Sequence, residues 1–255
     1  MLRRAVVLAM FTVSLPLSAG YVFDFQCKSA SSVTYTFRGR AVIEGPNARY
    51  DVVDGAHPVF NPAITIISRD GGRNLLIIDH RLKTWFMRRT ASMSGPSSTW
   101  KAPGQMSASR GWVQIERAAE PGETIAGHAT TKYTAVTEYA IAMQVEGEKM
   151  NAQVTARASL WMMNGKGITA LPFGLHFALK PGFPSIDERV ANRLAGKGIP
   201  LRQIVTVTRT IAGGAPVSET FELNVDTVRE EKAADATFQA PAGYAYREPT
   251  FGYSE

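Results

Sequence analysis

The sequence predicts a mainly β protein of the α+β class, built as a large curved antiparallel sheet with one covering helix. Three observations lead to this expectation. Apolar and polar residues alternate with a period of two through most of the chain, as in strands with one buried face. Turns rich in glycine, asparagine and aspartate separate many of these segments. A single segment, 185–194, shows the four-residue apolar spacing of an amphipathic helix.

The first third of the chain predicts an antiparallel meander. Its first two strands, over 21–28 and from residue 33, each carry large apolar residues on one face. These residues are Tyr21, Phe23, Phe25, Cys27, Tyr35 and Phe37. The run 75–78 is apolar at every position, which predicts a central strand buried on both faces. Strands over 48–53, 64–68 and 84–88 complete the meander, with Asp70-Gly71-Gly72 as a tight hairpin turn.

Longer strands dominate the middle of the chain. After a strand over 111–117, two strands with apolar faces over 133–145 and 150–162 are separated by Glu146-Gly147. Both exceed the usual length of about five or six residues, so we expect them to curve strongly. Alanines at 152, 156 and 158 leave room on the inner face. Strands over 201–211 and 217–228 close the pattern.

Sequence signals at both of its ends predict the helix. Ser185 and Glu188 have the spacing of a capping box, and Gly196 provides a stop. Ile186, Val190 and Leu194 form the apolar stripe that should face the sheet.

The segment Thr90 to Gln105 breaks the strand pattern and is rich in serine, glycine and proline. We interpret it as a flexible insertion at about 90–105. A second interpretation is a flap whose Trp100 covers an apolar groove, since long loops in compact domains are often functional.

The N-terminus indicates export. Arg3 and Arg4 precede an apolar run that ends in Ser18-Ala19-Gly20, which is typical of a secretory signal peptide cleaved near Gly20. A retained anchor is the alternative, but the run is shorter than the roughly 18–20 residues that span a bilayer. Tyr21 stands where a lipoprotein carries cysteine. We therefore expect residues 1–20 to be a signal peptide and 21–255 to be a single periplasmic domain that is not a lipoprotein.

Composition and motifs argue against several functions. Without Arg3 and Arg4 the net charge falls from +6 to +4, which is too small and dispersed for nucleic-acid binding. The four histidines lie far apart in sequence, so no metal site is expected, and His80 should be solvated in a turn. No nucleophile motif is present, and we expect neither enzyme activity nor a cofactor. Cys27 lies on an apolar face and should be buried and inert.

A set of loose motifs in a fixed order carries a resemblance to a known superfamily. These are the segment 45–51, Ile66 to Arg69, Leu76 to Lys83 leading to Trp85, Ile125-Ala126-Gly127, 198–201, and the tail with Phe238, Pro241, Gly243 and Tyr244. Together they resemble the LolA-like superfamily of periplasmic outer-membrane lipoprotein carriers over nearly the whole of residues 21–255. The resemblance implies an unclosed antiparallel half-barrel whose concave apolar side is covered by helices and loops. Members bind acyl chains or lipid-modified partners, although many have no assigned role.

The sheet should bury more apolar surface than one helix can cover. A helix of about eleven residues hides about a third of such a face, and uncovered apolar surface usually marks a binding groove. We therefore expect a periplasmic carrier of an acyl chain, lipid or lipidated protein. The predicted groove-lining residues are Phe23, Phe25, Tyr35, Phe37, Tyr133, Tyr139, Met143, Leu160 and Phe221. The alternative is an envelope protein-interaction or scaffold module whose core is filled by its own side chains.

Overall fold

The structure is a computed structural model that describes residues 20–30, 34–56, 62–72, 74–89, 106–108, 111–145, 148–164 and 183–248. The predicted insertion at 90–105, with Trp100, and the predicted signal peptide up to residue 19 lie outside these residues. The strands are β1 (Tyr21–Ala30), β2 (Tyr35–Glu44), β3 (Asn47–Ala56), β4 (Ile64–Ser68), β5 (Asn74–Asp79), β6 (Thr84–Arg89), β7 (Met106–Ala108), β8 (Trp112–Ile125), β9 (His128–Val145), β10 (Glu148–Met163), β11 (Ile199–Ile211), β12 (Val217–Glu230) and β13 (Ala245–Tyr246). Helix α1 spans Pro184–Leu194, and a 3₁₀ turn spans Asp235–Phe238.

All the described strands belong to a single curved, unclosed sheet of thirteen strands, as the sequence predicts. Its order is β13-β6-β5-β4-β3-β2-β1-β12-β11-β10-β9, and β7 and β8 both pair with β9. Every pairing is antiparallel except that of β13 with β6. The predicted meander is confirmed as β1 to β6. Because β1 pairs with both β2 and β12, it joins the N-terminal half of the sheet to the C-terminal half.

The sheet bends at irregularities in its register. Breaks occur at Asp24/Phe25 in β1, at Arg38/Gly39 in β2 and at Trp161/Met162 in β10. Such bulges bend a strand and increase its twist. The two longest strands, β9 and β10, have 18 and 16 residues, so the expected long strands are confirmed and are longer than predicted. The strand predicted at 111–117 also continues, as β8, to Ile125.

Helix α1 covers the inner face of the C-terminal half. Ile186, Val190 and Leu194 are buried against that face, which confirms the predicted stripe. The predicted capping box is wrong: the N-cap is Phe183, no side chain caps the helix, and Pro184 occupies the first turn. Proline needs no hydrogen bond there, so the helix begins at Pro184, two residues before the start that Ser185 as N-cap would give. Gly196 has a φ of +73° just beyond the helix, which confirms the predicted stop.

The C-terminal tail covers the outer face of the meander. Phe238 of the 3₁₀ turn is buried with Ile67, Leu76 and Ile78, while Tyr244 packs at the edge of this group. Leu75 and Ile77 of β5 face the opposite side and are buried there. The run 75–78 is therefore buried on both faces, as predicted, and the tail is the element that covers the outer one.

A chain of hydrogen bonds fixes this tail. Thr65 Oγ1 donates to Asp51, His80 Nε2 lies 2.9 Å from Thr65 Oγ1, and His80 Nδ1 lies 3.0 Å from the Tyr244 hydroxyl. The network assigns the proton to Nε2, so that Tyr244 donates to Nδ1. The expectation that His80 is simply solvated is therefore wrong, because both of its ring nitrogens have protein partners.

Candidate binding surface on the inner face

The buried residues on the inner face of the sheet form two groups. The first cluster consists of Tyr21, Phe23, Phe25, Cys27, Phe37, Ala41, Ile43, Ala48, Tyr50, Ile66, Leu75, Ile77, Met163, Ile199, Leu201, Leu223 and Val225. The second cluster consists of Val113, Ala135, Tyr139, Ile141, Ala152, Val154, Ala156, Ala158, Leu160, Met162, Ile186, Val190, Leu194, Val205 and Val207. The described members of the first cluster are all strand residues, whereas helix α1 contributes to the second.

The predicted groove residues divide between the two clusters. Phe23, Phe25 and Phe37 belong to the first cluster, and Tyr35 packs against it, partly buried. The others with described side chains lie with the second cluster: Tyr139 and Leu160 are members, and Tyr133 and Phe221 pack against it. The side chain of Met143 lies outside the described part of the structure. The structure thus brings the eight predicted residues with described side chains to one face of the sheet but not into one group.

Aromatic rings line the first cluster along β1 and β2. The ring centroids of Phe25 and Phe37 lie 6.4 Å apart in an edge-to-face arrangement, and those of Tyr35 and Phe37 lie 6.3 Å apart. The Phe25 ring lies directly over Gly39, where an added Cβ would come within 2.4 Å of its Cζ atom. The missing side chain at Gly39 therefore determines where this ring rests.

A small cavity lies within the first cluster. Its volume is about 20 Å³, and it is lined by Phe23, Phe25, Ala41, Ile43, Tyr50, Ile199, Pro200, Leu223 and Val225. The cavity has room for about one water molecule, but its lining is apolar and such cavities stay dry. Most of these residues were not among the predicted groove residues. The alternation of β2 already placed Ala41 and Ile43 on this face, but sequence offers no signal that pairs them with residues as distant as Ile199 and Val225.

Polar groups interrupt the apolar inner face between and beside the clusters. Gln203 is 2% exposed, lies opposite Leu223 on one side and Leu160 on the other, and its Oε1 meets no donor among the described residues. Arg209 and Glu219 form a 3.2 Å ion pair with side chains only 13% and 11% exposed. These groups could not be predicted from periodicity, since alternation assigns a face to a residue but no partner.

Burial favours the neutral forms of Tyr35, Tyr139 and Cys27 on the inner face. Burial raises the pKa of Tyr35 to about 12, with smaller contributions from Cys27 and Glu219 and an opposing one from a hydrogen bond with Ser29. Burial also raises the pKa of Tyr139 to about 12, opposed by Arg209 and reinforced by Asp187. Desolvation raises the pKa of the buried Cys27 thiol, which favours its unreactive protonated form. The expectation of a buried Cys27 is confirmed.

No group of three or more histidine, cysteine, aspartate or glutamate side chains in the described ranges could hold a metal ion. Within those ranges no helix has the length and hydropathy needed to cross a bilayer.

Comparison with known proteins gives a distant similarity of fold. No family model matches the chain, and no curated protein matches it. Among solved structures, the chain is similar to a LolA superfamily protein, NE2245 from Nitrosomonas europaea, with a TM-score of 0.38 and 10% identity. The match covers 88% of this chain and 91% of that one. Because this similarity is low, the fold described above rests on the chain's own strand pairings.

Proposed function

We propose that this protein is an exported, non-enzymatic carrier that binds an acyl chain, lipid or lipidated protein at the first cluster. The observation that supports this proposal is the apolar and aromatic inner face of β1 to β3, which meets β11 and β12 around a cavity. Only strands form that cluster among the described residues, and the helix α1 of that part of the chain packs with the second cluster instead. Apolar walls of this kind select ligands by size and hydrophobicity.

Binding requires the first cluster to open. The cavity of about 20 Å³ is smaller than an acyl chain, so rings such as Phe25 and Tyr50 must turn aside. Each buried methylene contributes about 0.8 kcal/mol, so ten of them contribute roughly 8 kcal/mol. Displacing a few side chains from their rotamers costs about 0.5–1.5 kcal/mol each. Burial of a long chain therefore outweighs the rearrangement, whereas burial of one or two methylenes does not.

The periplasm is the proposed location. Export follows from the predicted signal peptide, and cleavage after Gly20 would make Tyr21, the first residue of β1, the N-terminus of the mature protein. N-terminal sequencing of the protein from a periplasmic extract tests this step, and an intact Met1 would contradict it.

Ligand binding is tested by native mass spectrometry of protein purified from its own host, followed by titration with a fluorescent fatty acid. The first-cluster variant Ala41→Leu places extra methylenes against the cavity, and we expect it to weaken binding by about tenfold or more. The matched control is Ala158→Leu, because Ala158 is equally small and buried but lies in the second cluster. Each substitution overpacks the core by a comparable amount. Thermal unfolding of both variants establishes that they are folded. Absence of bound lipid together with no fatty-acid uptake would contradict the carrier.

A second candidate is an envelope interaction or scaffold module, and the small volume of the cavity favours it. A sheet whose inner face is filled by its own side chains binds other proteins through its rim and loops. In that case a pull-down recovers the same envelope protein with wild type and with Ala41→Leu. Loss of that partner in Ala41→Leu would instead connect the interaction to the cavity.

A further inference from the structure

The larger open space in the described structure lies on the other face of the sheet. A groove of about 400 Å³ crosses the outer face of β8, β9 and β10, opposite the second cluster. Its volume falls in the range of about 300–1,000 Å³ that small-molecule sites occupy. The cavity in the first cluster has about 20 Å³. A small ligand can therefore enter the outer groove without any rearrangement of the core.

Strand register arranges the groove as three rows of side chains. Trp112 lies opposite Glu138, Gln114 opposite Val136, and Glu116 opposite Thr134. In the middle row Arg157 of β10 lies on the other side of Val136. Three strands about 4.8 Å apart and three alternate residues along each give a patch of roughly 10 by 14 Å. One or two sugar rings have this size.

The patch has Val136 at its centre and Trp112 at one corner, with polar side chains at its other lining positions. Val136 forms the floor, and Trp112, 51% exposed, presents its indole beside it. The amide of Gln114 donates to Glu116, which fixes the direction of that carboxylate. Two carboxylates, one guanidinium, an amide and a hydroxyl thus surround an aromatic and aliphatic surface. The C–H face of a sugar ring packs on an indole, and its hydroxyls both donate and accept hydrogen bonds.

The charges of the lining select against other classes of ligand. Glu116 and Glu138 oppose the approach of phosphates and nucleic acids, and Arg157 in the middle row offsets one of these two negative charges. Both hydrogen-bonding edges of β9 are already paired over residues 134–138, with β8 on one side and β10 on the other. An extended peptide therefore cannot add there as a further strand. A neutral ligand rich in hydroxyl groups meets none of these obstacles.

We propose that this outer groove is a saccharide-binding site that takes one or two neutral sugar rings stacked on Trp112. Glu138, directly across from Trp112, and Arg157, one strand further, then bind hydroxyls on one side of the ring, and Gln114 and Thr134 bind the remaining ones. The site is separate from the inner face. The saccharide proposal and the carrier function can therefore be tested, and can fail, independently of each other.

In the test, the purified full chain is titrated with cellotriose, maltotriose and triacetylchitotriose. Binding is measured by tryptophan fluorescence and by calorimetry. We expect at least one of the three to shift the fluorescence, with a dissociation constant on the order of 1 mM or below. Trp112→Ala and Glu138→Gln should each weaken that binding by about tenfold or more. The control is Tyr246→Ala, which removes an equally exposed aromatic ring from β13 at the opposite edge of the sheet and should leave binding unchanged.

Three results would overturn the proposal. The first is no heat and no fluorescence shift with any of the three sugars up to about 20 mM. The second is binding that survives Trp112→Ala in a variant whose thermal unfolding matches wild type. The third is tighter binding of trilysine than of the sugars, which would assign the groove to a cationic peptide.

Discussion

The first and second clusters bury the same face of one sheet by different means. In the second cluster, alanines at 135, 152, 156 and 158 are buried together with Ile186, Val190 and Leu194 of α1. In the first cluster, five aromatic residues rise from β1 to β3. Small residues admit a helix, whereas large rings fill the curved interior themselves.

This difference shows what each half can accommodate. Helix α1 is part of the second cluster, so a guest there would have to displace a helix. Among the described residues, a guest in the first cluster displaces only strand side chains. The two halves therefore make distinct predictions for substitutions of the same kind.

The largest expected loss of stability comes from removing one large side chain from each cluster. Phe25→Ala should lower the free energy of unfolding by about 3–5 kcal/mol, and Leu160→Ala by about 2–5 kcal/mol. The Phe25 ring borders the existing cavity, so its removal opens a larger dry space. Benzene should bind there and raise the thermal midpoint of Phe25→Ala.

The addition of benzene should also distinguish the second cluster from the first. Benzene should stabilise Leu160→Ala much less, because the helix-covered cluster can collapse around the shortened side chain. Equal stabilisation of both variants would remove the distinction between the two halves.

Gly39 provides a smaller perturbation of the first cluster alone. Gly39→Ala places a Cβ 2.4 Å from the Phe25 ring and 3.0 Å from the Asp51 carbonyl oxygen. We expect a loss of about 1–3 kcal/mol, measured by chemical denaturation. The control is Gly214→Ala, since the nearest atom to its added Cβ is 3.4 Å away at an exposed turn. A loss at Gly214 as large as that at Gly39 would show that crowding of Phe25 is not the cause.

The loss of stability at alkaline pH should report on one tyrosine from each half of the sheet. Tyr35 and Tyr139 each have a pKa of about 12 in the fold, against an ordinary value of 10.0. The neutral form is favoured in the native state, so stability is complete below pH 10 and falls as pH rises towards 12. We expect Tyr139 to contribute about 1–2 kcal/mol to this loss and the more exposed Tyr35 less.

The variants Tyr35→Phe and Tyr139→Phe check this assignment. Each should remove its part of the alkaline loss and one tyrosinate transition from the absorbance titration. Titration of both tyrosines near pH 10 would mean that solvent reaches both clusters.

The smallest expected effect on stability comes from the seam, which is the region where β1 pairs with both β2 and β12. Arg40 donates to Asp24 at 2.8 Å, and Thr227 donates to its other oxygen at 2.8 Å. The hydrogen bond from Arg40 holds the pKa of Asp24 below its ordinary value. The stability it provides is present above about pH 4 and is lost as pH falls through the lowered pKa.

Asp24→Asn should therefore cost about 0.5–1 kcal/mol at neutral pH and flatten the acid limb of the stability curve. Asp226→Asn, an exposed position on β12, is the control and should change neither. An unchanged acid limb in Asp24→Asn would show that the seam gains nothing from this carboxylate.

Most of the fold was predictable because period-two alternation is a local property. It gave the meander, the long strands, the stripe of α1 and the doubly buried run 75–78. The start of α1 was predicted wrongly because Pro184 begins the helix without a cap, while Ser185 and Glu188 merely have capping-box spacing. Turn glycines such as Gly196 were reliable, since a positive φ is a local requirement.

The partnerships between distant residues could not be predicted. His80 looks like a turn residue in sequence, yet Thr65 and Tyr244 bind its two nitrogens because the tail returns across β4 and β5. The split of the predicted groove residues depends on which strands α1 covers. The outer groove likewise depends on register: Trp112, Glu138 and Arg157 meet only when β8, β9 and β10 pair as they do.

The pairing of β1 with β12 has a consequence for how the molecule is made. These strands are separated by nearly the whole polypeptide, and the tail that covers the meander comes later still. Contacts at such separations form slowly because a long loop must close first. The N-terminal half by itself therefore leaves one edge of β1 unpaired, and the sheet can be completed only once β12 and the tail are available.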